Sequence, residues 1–185
     1  AAVLSFQQNI ADLSNQLVDA SAKTGIAVDT LAGLRLAAEG SGLSFENLEA
    51  GLIKLPSLMT DAANGSKKAK SAFDNLGVSV QKTDGTLRSS DDVLKDIFHS
   101  LQNIESAEEK AAAAADLFGQ RAGPAFIQSG AIDNLDAFME LANEFGVSTG
   151  PEMRKQMADF QRISSSALTV VQGEFSKLME TAFGP

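Results

Sequence analysis

Helix-breaking residues recur through this chain so often that no single rod can run far. Gly25, Gly42, Pro56, Gly65, Gly85, Gly119, Gly123-Pro124, Gly146 and Gly150-Pro151 punctuate stretches whose apolar residues otherwise keep a helical period. Glycine and proline are the two residues least tolerated inside a helix, at about 1 and 3 kcal/mol relative to alanine. A sequence divided this way folds its short amphipathic pieces back on one another. The expected fold class is therefore mainly α: several short amphipathic helices packed with one small β-hairpin at about residues 77–88, and longer helices at both ends.

Composition fits that reading and excludes several functions. Ala, Leu, Val, Ile and 11 Phe supply the apolar residues, with no Trp or Tyr, so the core packs mostly small aliphatic side chains. There is no Cys and a single His, His99, which removes disulfides, thiolate metal sites and His-based metal sites. A formal charge of -9 opposes tight binding to nucleic acid phosphates, which needs a basic face. No window approaches the roughly 20 apolar residues that span a bilayer, so no membrane contact is expected from this segment. The chain opens at Ala1 without Met and closes at Gly184-Pro185 just after a helical pattern, from which we expect a piece of a longer protein.

Phe6, Ile10, Leu13 and Leu17 recur at spacings of four and three, predicting an amphipathic helix over residues 2–23. Two helix starts follow, at Gly25-Ile26-Ala27-Val28-Asp29 and Gly42-Leu43-Ser44-Phe45-Glu46. Ser44 is an expected N-cap, whereas Ala27 has no side-chain acceptor and its helix should be less firmly capped. Leu48, Leu52 and Leu55 share one face, and Pro56 is expected to kink or end that helix. Residues 60–72 read as a polar continuation. Val78 and Val80 then alternate with Ser79 and Gln81, and Asp84-Gly85 is a hairpin-turn signal.

Ser89 or Ser90 caps the next helix, with Asp91 and Asp92 in its first turn and Val93, Ile97, Leu101 and Ile104 along one side. Another helix opens at Ser106, runs through the five alanines 111–115 and ends at Gly119. Leu135, Phe138, Ala142 and Phe145 mark one more. Pro151 opens the longest candidate, in which Met157, Phe160, Ile163, Ala167, Val171, Phe175 and Leu178 hold a stripe over residues 153–179.

Five fragments in this order resemble one protein family. They are Gly42-Leu-Ser-Phe-Glu-Asn-Leu-Glu-Ala-Gly-Leu52, Leu76-Gly-Val-Ser-Val80, Gly85-Thr-Leu-Arg-Ser89, Asp92-Val-Leu-Lys-Asp-Ile97 and Leu117-Phe-Gly119. Together they resemble the shared block of tail tape-measure proteins of tailed bacteriophages and prophages, over roughly residues 24–130. The family usually runs from "L-F-G" through a basic-Ala-Gly link into "L-I-P-L-L", whereas here Gly119-Gln-Arg-Ala-Gly-Pro-Ala-Phe-Ile-Gln128 has an altered length and a displaced proline, leaving the path after Phe118 open. The resemblance implies a structural virion protein in the lumen or tip of a tail, assembled in the host cytoplasm. The same resemblance implies that it sets tail length and leaves before DNA ejection, with copies of itself and the tail tube and tail tip proteins as its partners.

No residue cluster points to catalysis, cofactor binding or a metal. Asp91-Asp92 and Glu108-Glu109 sit where helix N-termini favour negative charge, and adjacent helical residues point about 100° apart. His99 has Ser100 beside it but no nucleophile turn. Lys67, Lys68 and Lys70 read as a solvated face, and the alanine run as helix propensity, with close packing between subunits the alternative. Phe6, Ile10, Leu13, Leu17, Phe160, Ile163, Val171, Phe175 and Leu178 are the candidates for partner packing, and burial in the chain's own core explains them equally well.

The expected organisation is an amphipathic arm (1–24), a compact module (25–130) and a helical C-terminal segment (131–185). The expected function is that of a non-enzymatic tail component acting by helix packing. A tail module associated with a cell-wall hydrolase, or a bacterial helical adaptor unrelated to phage, are the alternatives.

Overall fold

The breakers end helices by backbone conformation. Gly25, Gly42, Gly65, Gly77, Gly85, Gly119 and Gly130 all take positive φ, from 66° to 89°. The computed structural model describes residues 15–144, which are mainly helical. In chain order the helices are α1 (residues 15–24), α2 (Val28–Gly40), α3 (Phe45–Leu52), α4 (Leu55–Ala63), α5 (Lys67–Asp74), α6 (Ser90–Gln102), α7 (Ala107–Gln128) and α8 (Ala131–Glu144).

Helix α2 lies at the centre. Thr30, Leu31, Ala32, Gly33, Leu34, Leu36, Ala37 and Ala38 are all buried and cover most of the helix circumference, leaving one strip with Arg35 and Glu39 outside. A helix with so broad an apolar surface is stable only when wrapped. Helices α8 and α3 cover it, with Leu17 and Ala20 of α1 in the same core. Arg35 stitches the outside: its guanidinium donates to Glu39 and to Gln16 of α1 (2.7 and 2.9 Å) and lies 5.8 Å from the Phe45 ring centroid. The described parts of the two terminal segments, 15–24 and 131–144, thus share one core with the helices between them.

Close approach sets the packing. A Cβ on Gly33 would lie 2.8 Å from Met139 Cγ and 2.9 Å from its backbone nitrogen, so α8 crosses α2 nearly backbone to backbone. A Cβ on Gly51 of α3 would fall 2.5 Å from the Ala122 Cβ of α7. Helix α7 is itself two rods meeting at Gly119 (φ 89°, ψ 164°), and they fold together so tightly that a Cβ on Gly123 would lie 2.7 Å from the Ala114 carbonyl carbon. The alanine run therefore has a packing role inside the chain, beyond helix propensity. Phe98 of α6 and Phe118 and Phe126, one from each rod of α7, meet with ring centroids 4.5 to 6.3 Å apart and close the core at that end.

Several expectations need correction. The β-hairpin does not form: among the described residues there is no strand, and residues 78–88 hold one isolated antiparallel bridge, Gln81 with Leu87. The Asp84-Gly85 turn is present, with Gly85 N–H on the Lys82 carbonyl (3.0 Å) and Lys82 N–H on Thr86 (2.8 Å). The arms fail as strands because Val78 and Val80 of one arm are buried while Leu87 of the other is 43% exposed. Two arms with only one apolar side and no third strand cannot extend a ladder.

Pro56 begins α4 instead of ending α3, in keeping with the preference of proline for the first helical turn. The polar stretch 60–72 is divided at Gly65 between α4 and α5, with Ser66 capping α5. Ser44 occupies the N-cap of α3 but its hydroxyl makes no capping bond. Instead, the Glu46 carboxyl is held below its ordinary value by its own backbone N–H and then by Ser44. Gly123-Pro124 does not interrupt the chain; it lies inside the second rod of α7. After Phe118 the chain turns back at Gly119 to lay Ala122 against α3.

Ile97 and Leu101 are 0% exposed. Ile97→Asp places an unpaired carboxylate among them at a cost of several kcal/mol, comparable with the roughly 5–15 kcal/mol that holds a small domain together. The expected outcome is loss of the cooperative thermal transition followed by circular dichroism, whereas Ile97→Val keeps it with about 1 kcal/mol lost.

Candidate interaction surface

Three parts of the surface carry organised chemistry: the face where α2 meets α6, the loop 75–89, and the two shallow clefts beside α7 and α8.

Ala27 offers no side-chain acceptor to its helix, and the deficit is met from another element. The Asp91 carboxylate on α6 accepts the Ala27 N–H at 3.0 Å and an ion pair from Lys95 at 2.8 Å. Burial pushes the Asp91 carboxyl up, but Lys95, the Thr30 hydroxyl, the Ala27 N–H and the Lys95 charge together outweigh it and hold the group below its usual value. Thr30, fully buried beneath, faces this carboxylate without completing a full hydrogen bond. The Lys95 ammonium is pushed up by its bond to Asp91, against partial burial, with the Asp91, Asp92 and Asp136 charges adding to the effect. Asp92 has the separate role expected of its position: Ser89 accepts its N–H (3.1 Å) and donates to its carboxylate (2.7 Å), capping α6.

The loop is fixed by side chains where a ladder is missing. Arg88 donates to the Ser79 carbonyl (2.9 Å) and pairs with Asp96 of α6 (2.6 Å), joining both arms of the loop to a helix. Asp84 accepts from the Thr86 N–H (2.9 Å) and hydroxyl (2.6 Å), which together lower its carboxyl below the ordinary range, the hydroxyl most strongly. The Ser79 hydroxyl donates to the Gln81 carbonyl (2.8 Å) and accepts the Gln81 N–H (3.3 Å). The loop thus presents Leu87 to solvent from a rigid base.

A cleft of about 270 Å³ between α6 and α8 is lined by Lys95, His99, Gln102, Asp133 and Asp136, with no hydroxyl or thiol side chain on its walls. A second, of about 420 Å³, lies between α4 and the bend of α7; Ile53, 45% exposed, Lys54, Asp61 and Asp116 line it. Among the described residues no three His, Asp or Glu side chains are placed to hold a metal ion, and no helix is long and apolar enough to cross a membrane.

Of the partner-packing candidates, Leu17 alone lies within the described residues, and it is fully buried in this chain's own core. Phe6, Ile10, Leu13, Phe160, Ile163, Val171, Phe175 and Leu178 lie outside them. Lys67 and Lys68 are exposed, and Lys70 is paired with Asp74. Glu108 and Glu109 stand in the first turn of α7, whose N-cap Ser106 accepts the Glu109 N–H at 3.3 Å. The bridging roles of Asp91 and Arg88 were not read from the sequence, since both depend on contacts between elements far apart in the chain. The missing acceptor at Ala27 was the one local sign that a carboxylate from elsewhere was needed.

Comparison with known proteins gives no match to a protein-family model, a curated protein or a solved structure.

Arg88→Ala releases the loop while leaving the core intact. Amide exchange at Lys82 and at position 88 is expected to accelerate, with global stability reduced by no more than about 1 kcal/mol, as for a half-exposed ion pair. For Asp91 the sign follows from its depressed titration: the stabilisation is present above the unfolded value near 3.9 and is lost as pH falls through the lower folded value. Urea midpoints measured between about pH 3 and 7 are expected to fall on the acid side for the native chain, and Asp91→Asn to be weaker at neutral pH with a flatter acid limb.

Proposed function

We propose that this chain is a structural segment of a phage tail tape-measure protein, working by helix packing without bond chemistry. The observation that carries this reading is where the family-like fragments fall. Gly42, Gly77, Gly85 and Gly119, each from a different fragment, take positive φ, the conformation that most strongly favours glycine. Gly51, from the first fragment, touches Ala122 and Phe118 in α7. Arg88 of the third reaches Ser79 of the second and Asp96 of the fourth. The fragments are therefore residues this fold requires for its bends and clamps, which is what a shared structural block consists of.

On this reading the segment is a compact helical knob in the tail lumen or tip, distinct from an extended shaft that measures length at about 1.5 Å per residue. Its partners are tail tube and tail tip proteins and further copies of itself. The acidic balance suits a protein that must not adhere to the DNA that follows it.

The test is made in the source strain. Deleting the codons for residues 28–144 from the full-length gene is expected to abolish tails or change their length in electron micrographs, and His99→Ala in the same gene to leave assembly unchanged. Tails of normal length and number after the deletion would overturn the assignment. Tails lost with a folded His99→Ala protein would reopen the cleft between α6 and α8 as a functional site.

A further inference from the structure

We propose that Gly119 is the hinge of a segment exchange, through which residues 120–144 of one copy of this chain dock onto residues 15–118 of a second copy. The proposal does not rest on the tail assignment.

The bend at Gly119 is one residue wide. Residues before it to Ala107 and after it to Gln128 are helical, and Gly119 alone has non-helical backbone angles. Its φ of 89° with ψ of 164° belongs to a region occupied in practice by glycine alone. Rotation at that one residue merges the rods into a single helix of 22 residues, about 33 Å long. Straightening also pairs the carbonyls that end the first rod with the amides that begin the second, groups the bend leaves without intrahelical partners. Pro124 is no obstacle, because it already sits inside a helical segment.

A straightened chain cannot keep its own second rod and α8 on its core. Those elements carry the Ala122 contact to Gly51, the Met139 contact to Gly33 and the Phe126 ring of the aromatic cluster. Left open, they expose the buried α2 face. A second open copy offers the identical surfaces, so every one of these contacts re-forms between chains, as in other exchanges of an element between protomers. The Gly123 packing on Ala114 re-forms with them, from Gly123 of one chain to Ala114 of the other. The closed form needs no second copy, and glycine at 119 permits its bend.

Gly119→Ala reverses that preference. Alanine disfavours the bent backbone and favours continuous helix, and its Cβ would also meet Lys54 Nζ at 3.0 Å. Light scattering on the purified 185-residue chain is expected to move from one-chain to two-chain mass with this substitution, with helical circular dichroism undiminished. A complementation experiment separates exchange from surface association. In the Gly119→Ala background, Gly33→Leu damages the receiving surface and Ala122→Arg damages the donated segment, so each variant alone lacks a sound docking. Mixed, they can form one intact docking, and a two-chain species with a restored cooperative transition is expected. A Gly119→Ala chain that stays single, folded or unfolded, overturns the proposal. So does pairing without rescue in the mixture.

Discussion

The wrapping of α2 is the constraint on which the remaining structure depends. A helix buried around most of its circumference needs covering surfaces at more than one angle, and a chain of short rods supplies them only if the rods come very close. Gly33 and Gly51 permit that approach, one by letting the Met139 backbone of α8 sit against α2, the other by admitting Ala122 to α3. Larger residues at either place would hold the cover away from the core and open gaps that a densely packed interior does not tolerate.

The same wrapping explains why polar bonds between distant elements matter here. The first amides of α2 find no side-chain acceptor in their own segment, so that helix end is fixed by a bond from elsewhere. Asp91, delivered 64 positions further along the chain, accepts the Ala27 amide and is itself held by Lys95. Arg88 does equivalent work for the loop. Neither bond is strong alone, yet both fix the position of α6, whose Ile97, Phe98 and Leu101 complete the core.

Much of the architecture was legible in the residues. Gly25, Gly42, Gly65, Gly85 and Gly119 marked true bends, Ser89 and Ser106 marked true helix starts, and the stripe of Val93, Ile97 and Leu101 gave the buried face of α6. What the sequence concealed was of two kinds. Local patterns that ordinarily mean a strand, at Val78 and Val80, lost to tertiary context because the facing arm carries its one apolar residue outward. The mutual position of the helices was concealed because it is set by residues with almost no side chain, such as Gly33 and Gly123, whose meaning depends on what lies opposite. On the candidate surface, Asp91 and Asp92 look alike as neighbouring carboxylates, yet one holds α2 and the other caps its own helix. Only the fold separates them.

The arrangement of Ser79 bears on crowding. Gln81 stands at the outer edge of the loop, where a bare N–H and carbonyl would invite another chain to pair with it; the Ser79 hydroxyl occupies both. An extended stretch rich in valine is thereby made a poor template for intermolecular β-pairing. Crowded copies of the chain therefore find at Gln81 no free donor and acceptor pair on which to add a strand.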